Sequence, residues 1–76
     1  MRPSVASRIY WNAWLSEDTR TMDAMSVRCP DVAQRCAVCG NKHHGASIVG
    51  PACREKAIRN GHARLIEATD RLLVRS

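Results

Sequence analysis

A chain of 76 residues is long enough for one domain, here residues 1–76, but too short to bury a large hydrophobic core. Because it contains no Phe, one Tyr and two Trp, we expect part of its stability to come from a metal, from disulfides or from a partner chain. The net charge of +5 fits a nucleic acid or an acidic protein surface as partner, and no apolar run approaches the roughly 20 residues of a membrane span.

The N-terminal segment, residues 1–28, is predicted to be helical. Val5, Ile9 and Ala13 recur at helical spacing and indicate a first helix over residues 4–15. The aromatic residues of the chain lie close to this apolar stripe.

A second helix is expected to follow the first. Ser16 is a good N-cap residue, and the two acidic residues after it stand where the helix dipole favours negative charge. This helix would run to about Val27; the alternative is one long helix that passes through Ser16. Pro30 ends either version, because proline disfavours helical geometry at the residue before it.

The middle segment, residues 29–53, is predicted to form a zinc knuckle between two helical parts. Residues 31–36 are expected to make a short helical turn. Residues 36–50 are rich in Gly, Asn, His and Ser, which favours a knuckle turn, with a short hairpin as an option.

The C-terminal segment, residues 51–76, is predicted to be one long helix. Gly50-Pro51 marks its start, because proline is tolerated at the first helical position. The weak point is Asn60-Gly61, which either separates two helices or is tolerated inside one at a cost of about 1 kcal/mol. The apolar stripe of this helix comprises Ile58, Leu65, Ile66, Thr69, Leu72 and Leu73.

The segment Cys36-Ala-Val-Cys39-Gly40, followed by Cys53, is typical of a structural zinc site. Two cysteines separated by two residues can reach one ion from a tight turn, and Gly40 suits that turn. Cys53 falls in the first turn of the last helix, where free N–H groups stabilise a thiolate. We therefore predict one structural Zn²⁺ and a small, mostly α fold, in which a zinc-stapled knuckle packs between the N-terminal helical segment and a long C-terminal helix.

The fourth zinc ligand is predicted to be His44, with Cys29 and His43 as alternatives. With His44 the pattern is Cys-x2-Cys-x4-His-x8-Cys, which resembles the CCHC zinc knuckle except that the last gap is eight residues instead of four. Cys29 would complete an all-cysteine site, and His43 is the third candidate.

A second resemblance covers residues 36–57. Cys-x2-Cys-Gly followed by Ser47-x2-Gly50-Pro51-x-Cys53 is similar to small phage-encoded zinc-binding proteins of the Cys-x2-Cys-Gly…Gly-Pro-x-Cys type. That resemblance implies a treble-clef-like module, in which a knuckle supplies two ligands and the start of a helix supplies the rest, and it implies a phage or mobile-element origin. The spacer here is shorter, and Lys56 stands where a second helical cysteine is expected.

Whether the cysteines bind zinc or form disulfides depends on the cellular compartment, because thiols stay reduced in the cell interior. The N-terminus lacks the apolar run of a secretory signal, so we expect a cytoplasmic protein in a host cell, with zinc instead of disulfides. We expect neither a redox dithiol nor a catalytic zinc, because the residues after Cys39 are poor helix formers and no acid has a patterned relation to the cysteines. We therefore expect no enzymatic activity and no small-molecule substrate.

Two functions fit these features. The first is a nucleic-acid-associated regulator, for example of transcription, which would contact phosphates through Arg54, Lys56, Arg59, Arg64 and Arg71. The second is a small protein-binding inhibitor or adaptor that docks on a host enzyme or complex through Trp11 and Trp14, if these do not form the core. The basic charge favours the first.

Overall fold

The computed structural model describes residues 1–43 and 48–75, with side chains up to residue 72 in the last helix. It is small and mostly helical, as predicted. The α-helices are α1 (Pro3–Leu15), α2 (Thr19–Arg28), α3 (Arg54–Arg59) and α4 (Ala63–Arg75), and 3₁₀ turns lie at Val32–Gln34 and Pro51–Cys53. The described residues contain no β-strand; the expected hairpin is reduced to one antiparallel bridge between Arg35 and Lys42. None of the helices described is both long and apolar enough to cross a lipid bilayer.

The N-terminal segment contains two helices, but the predicted cap of the second one is wrong. Asp18 caps α2, since its carboxylate accepts hydrogen bonds from the N–H of Thr21 at 3.2 Å and from the Thr21 hydroxyl at 2.6 Å. Ser16 instead ends α1, because its hydroxyl donates back to the Asn12 carbonyl at 2.9 Å. Glu17 makes the turn between the helices with φ of 58°.

Helix α1 is the centre of the fold, because it packs against α2, the first 3₁₀ turn and α4. Tyr10 contacts both hydrophobic clusters of the structure. The smaller cluster joins Ala6, Met25 and Val32. The larger one joins α1 to the knuckle and to the C-terminal helices through Trp11, Cys36, Ala37, Ile48, Val49, Ala57 and Ile66.

The predicted long C-terminal helix is two helices. Gly61 adopts φ of 84°, in the left-handed region that interrupts a right-handed helix. The N–H of His62 turns back to the carbonyl of Ala57 at 2.9 Å, which closes the end of α3. Helix α4 begins at Ala63 after this break, so basic residues on α3 and α4 do not belong to one continuous helix.

Candidate metal centre

The knuckle is a tight turn closed by hydrogen bonds. The N–H of Gly40 donates to the carbonyl of Cys36 at 2.8 Å, and Gly40 has φ of 77°. The N–H of Val38 points at the Cys36 sulfur, with a nitrogen–sulfur distance of 3.4 Å. The turn thus places Cys36 and Cys39 close together and aims backbone donors at a sulfur atom.

The third cysteine reaches the knuckle from the start of the C-terminal helices. The N–H of Ala37 donates to the carbonyl of Ile48 at 2.7 Å, which ties the incoming chain to the knuckle. The 3₁₀ turn Pro51–Cys53 follows, with the Cys53 N–H bonded to the Gly50 carbonyl at 3.0 Å. As a result, the sulfur atoms of Cys36, Cys39 and Cys53 all lie within 4.8 Å of one another.

These three thiols fit a metal of zinc's size. Zn–S bonds of about 2.3 Å in a tetrahedron place sulfur atoms about 3.8 Å apart, close to the spacing of at most 4.8 Å found here. Cys36 is buried, Cys53 is half-buried and Cys39 is exposed, so an ion can enter from the Cys39 side. All four cysteines of the chain are free thiols.

The environment favours a thiolate at Cys36. Burial alone would raise the pKa of this thiol, but hydrogen bonds from the N–H groups of Gly50, Cys39 and Val38, and from the Cys39 thiol, lower it below its ordinary value. At Cys53 the neighbouring Cys39 thiol, burial and the Cys36 thiol raise the pKa to about 11. Thiols this close resist ionising together without a cation between them, which is the situation that a bound metal relieves.

A charged cluster supports the knuckle from its opposite side. The carboxylate of Asp31 receives the Arg35 guanidinium at 3.0 Å and the Lys42 ammonium at 3.1 Å. Arg35 also donates to the Gly40 carbonyl at 2.6 Å. Hydrogen bonds from Arg35, then from Cys29 and Lys42, hold the pKa of Asp31 well below its usual range.

The structure does not bring Cys29 to the other three cysteines. Cys29 packs against the smaller hydrophobic cluster, and its thiol donates to the Asp31 carboxylate at 3.2 Å. Burial, and then Asp31, raise the pKa of this thiol. The candidate His44 lies outside the described residues, whereas His43 lies within them.

The two tryptophans occupy different environments. The ring of Trp11 stacks edge-on against Tyr10 and Trp14, with centroid distances of 5.5 and 5.2 Å. With 4% of its surface exposed, Trp11 is part of the core and offers no docking surface. Trp14 is half-buried and lines a groove with Leu15, Met22 and Leu72.

The five basic residues predicted to contact a partner divide into two groups. Arg54 is paired with Asp70 at 2.6 Å, and Arg59 with Glu55 at 3.3 Å. Within the described part of the chain, the exposed residues Lys56, Arg64 and Arg71 form no ion pair.

A basic groove between α1 and α4 was not predicted from the sequence. Its volume is about 410 Å³, and its described lining contains no acidic side chain. Sequence reasoning missed it because its cationic residues belong to two helices that meet only after the chain has turned at Gly61. The polar lining residues are Arg8, Asn12, His62 and Arg64.

Comparison of the chain with models of known protein families, with curated proteins and with solved structures gives no match.

Proposed function

We propose that the chain is a zinc-stabilised regulator that associates with nucleic acid. The observation that carries the metal part is the convergence of Cys36, Cys39 and Cys53 within 4.8 Å. In this proposal one Zn²⁺ is held by these thiolates and one further ligand, and its role is structural. The reduced thiols that the site needs fit a cytoplasmic location, and the resemblance of residues 36–57 to phage zinc-binding proteins motivates the proposed origin in a phage or mobile element.

The basic groove between α1 and α4 supports the nucleic-acid part. Arg8 and Arg64 are exposed and form no ion pair with any described residue. A groove that presents cations and, among its described lining residues, no carboxylate matches the phosphate backbone of a nucleic acid.

Fluorescence anisotropy with a 20-base-pair DNA duplex and a single-stranded RNA of equal length tests this function. The zinc-loaded protein should bind at low salt, and affinity should fall steeply as salt rises, because neutralised phosphates release counterions. The variant Arg8→Gln/Arg64→Gln should bind about 10-fold more weakly and show a shallower salt slope. Absence of binding by the wild-type protein at low salt would refute the proposal.

A matched control separates the groove from general charge. Arg20→Gln/Arg28→Gln removes the same two charges from α2, where neither residue lines the groove. This variant should retain most of the affinity. Equal losses in the two double variants would mean that net charge, and not the groove, attracts the nucleic acid.

The second candidate function is a protein-binding adaptor or inhibitor. The apolar groove of about 710 Å³ where α1, α2 and α4 meet favours it, because Trp14, Leu15, Met22 and Leu72 present apolar side chains there. A stable complex with one host protein, for example from the transcription machinery, that is lost on Trp14→Ala would favour this function. Recovery of nucleic acid alone from a host lysate would favour the first.

A further inference from the structure

Three thiolates leave one corner of a tetrahedral zinc site open, and we propose that His43 fills it. This inference rests on the proposed zinc site and identifies its fourth ligand. It replaces His44, which the knuckle spacing favours, and Cys29, which the fold holds in the other hydrophobic cluster.

The first support is the state of the His43 ring. Both ring nitrogens, Nδ1 and Nε2, are buried, and neither has a hydrogen-bond partner in the described part of the structure. Burying polar atoms without partners is costly, so such atoms in a folded protein call for an explanation such as a bound ion. Coordination of a metal by one nitrogen supplies that explanation at His43.

The second support is the local pairing of the chain. The N–H of Cys36 donates to the carbonyl of Asn41, and the N–H of His43 donates to the carbonyl of Gln34, both at 2.9 Å. These bonds flank the bridge between Arg35 and Lys42. Since side chains alternate along extended chains, Cys36 and His43 fall on one side of the pairing. Arg35 and Lys42 fall on the other side, where both bind Asp31.

The third support is Gly50, which links the imidazole to the thiol cluster. A β-carbon at Gly50 would lie 3.6 Å from the Cβ, Cγ and Cδ2 atoms of His43. The carbonyl of the same Gly50 accepts a hydrogen bond from the N–H of Cys53 at 3.0 Å. The imidazole therefore lies beside a glycine that is hydrogen-bonded to a cysteine of the thiol cluster.

The ring has to close on the thiols for coordination. Among the described residues, the set of ligand atoms within 4.8 Å of one another contains the three sulfurs and no nitrogen of His43. Zinc would draw these groups together, because its bonds to nitrogen and sulfur are about 2.0–2.3 Å long. Two atoms bound to one zinc ion therefore lie closer to each other than 4.8 Å. The proposal thus predicts a change in the environment of His43 when the metal binds.

Native mass spectrometry and a Co²⁺ titration of the full chain test the assignment, with His43→Ala, His44→Ala and His43→Cys variants. His44→Ala is the matched control, since it removes the same side chain one position further on. We expect one zinc per wild-type chain, at least about 100-fold weaker binding in His43→Ala, and wild-type affinity in His44→Ala. His43→Cys should keep the metal and raise the thiolate-to-cobalt absorption by about a third, because four thiolates replace three.

The outcomes distinguish failure of the His43 assignment from failure of the zinc site itself. Loss of metal in His44→Ala with retention in His43→Ala would overturn the assignment to His43, and so would full binding by both alanine variants. A His43→Cys protein whose cobalt absorption equals that of the wild type would also contradict it. A wild-type chain that binds no zinc would refute the proposed metal centre as a whole.

Discussion

The hydroxyl of Ser7 donates a hydrogen bond of 2.6 Å to the backbone carbonyl of Arg35, which directly precedes Cys36. Ser7 is completely buried on α1. The central helix of the fold therefore fixes the backbone at the point where the knuckle begins. The predicted metal site is positioned by a helix that contributes none of its ligands.

Substitution Ser7→Ala should lower the free energy of unfolding by about 1–3 kcal/mol, because it leaves the part-buried carbonyl of Arg35 without its donor. Urea denaturation of the zinc-loaded protein measures the loss. Ser26→Ala is the control, since Ser26 is exposed on α2 and its substitution should change stability by less than about 0.5 kcal/mol. Equal effects at the two positions would mean that the bond to Arg35 contributes nothing.

Removal of the metal, or any of Cys36→Ser, Cys39→Ser and Cys53→Ser, should unfold the domain. Structural zinc sites contribute about 10–16 kcal/mol near neutral pH, which is comparable to or larger than the roughly 5–15 kcal/mol stability of ordinary domains. Circular dichroism with and without chelator measures the helix content. Cys29→Ser should bind zinc normally, because its thiol bonds to Asp31 and lies apart from the cluster. Native-like spectra of all three cluster variants in chelator would contradict the structural role.

Local features of the fold were predictable from the sequence where the signal is local. The periodicity of α1, the end of α2 before Pro30 and the turn after Cys36 each depend on neighbouring residues. The proximity of Cys53 to the knuckle followed from the chemistry of cysteines in a short chain, and the structure confirms it.

The features that the sequence did not settle depend on competing local hydrogen bonds or on contacts between distant segments. Ser16 and Asp18 both suit the N-cap of α2, and the sequence does not show that the Ser16 hydroxyl instead bonds back to Asn12. Both outcomes at Asn60-Gly61 were open, and the structure has the break, with Gly61 in left-handed geometry and α4 in contact with α1. Likewise, the sequence offers Cys29 and His43 as alternatives to His44, until the fold places Cys29 beside Asp31.

The ionised carboxylate of Asp31 is expected to stabilise the fold, and the pKa of this carboxyl group sets the pH range in which it does so. Hydrogen bonds from Arg35, Cys29 and Lys42 lower its pKa in the folded state. A depressed pKa contributes stability that is complete above the unfolded value of about 3.9 and is lost as the pH falls through the folded value. Asp31→Asn should therefore lower the Tm by the same amount at every pH between about 6 and 8.

Thermal unfolding of the zinc-loaded wild type and variant measures this difference. Asp23→Asn is the control, because Asp23 is exposed on α2 and forms no ion pair with a described residue. Its Tm should stay close to that of the wild type. If the Tm difference between the wild type and Asp31→Asn changes between pH 6 and 8, a group other than this carboxylate must titrate in that range.

Substitution of two glycines in left-handed backbone geometry allows the cost of conformational strain to be measured apart from the cost of close packing. Gly40 and Gly61 have φ of 77° and 84°. A β-carbon at Gly61 would meet nothing within 4 Å, whereas at Gly40 it would lie 3.1 Å from Cβ of Pro3 and 3.3 Å from the backbone nitrogen of Ser4. Alanine at Gly61 should thus cost only the left-handed conformation, about 1–2 kcal/mol.

Alanine at Gly40 should lower the free energy of unfolding by that amount and by a further amount, because its β-carbon would displace the start of α1 from the knuckle. Urea denaturation should therefore rank Gly40→Ala as the more destabilising substitution, and zinc affinity should fall in that variant alone. Gly61→Asn should recover part of the loss seen with Gly61→Ala, because Asn adopts left-handed geometry more readily than Ala. Gly40→Asn should show no such recovery, since its β-carbon meets the same atoms of Pro3 and Ser4. Equal losses for the two alanine variants would show that α1 and the knuckle separate without cost, which would contradict the role assigned here to their contact.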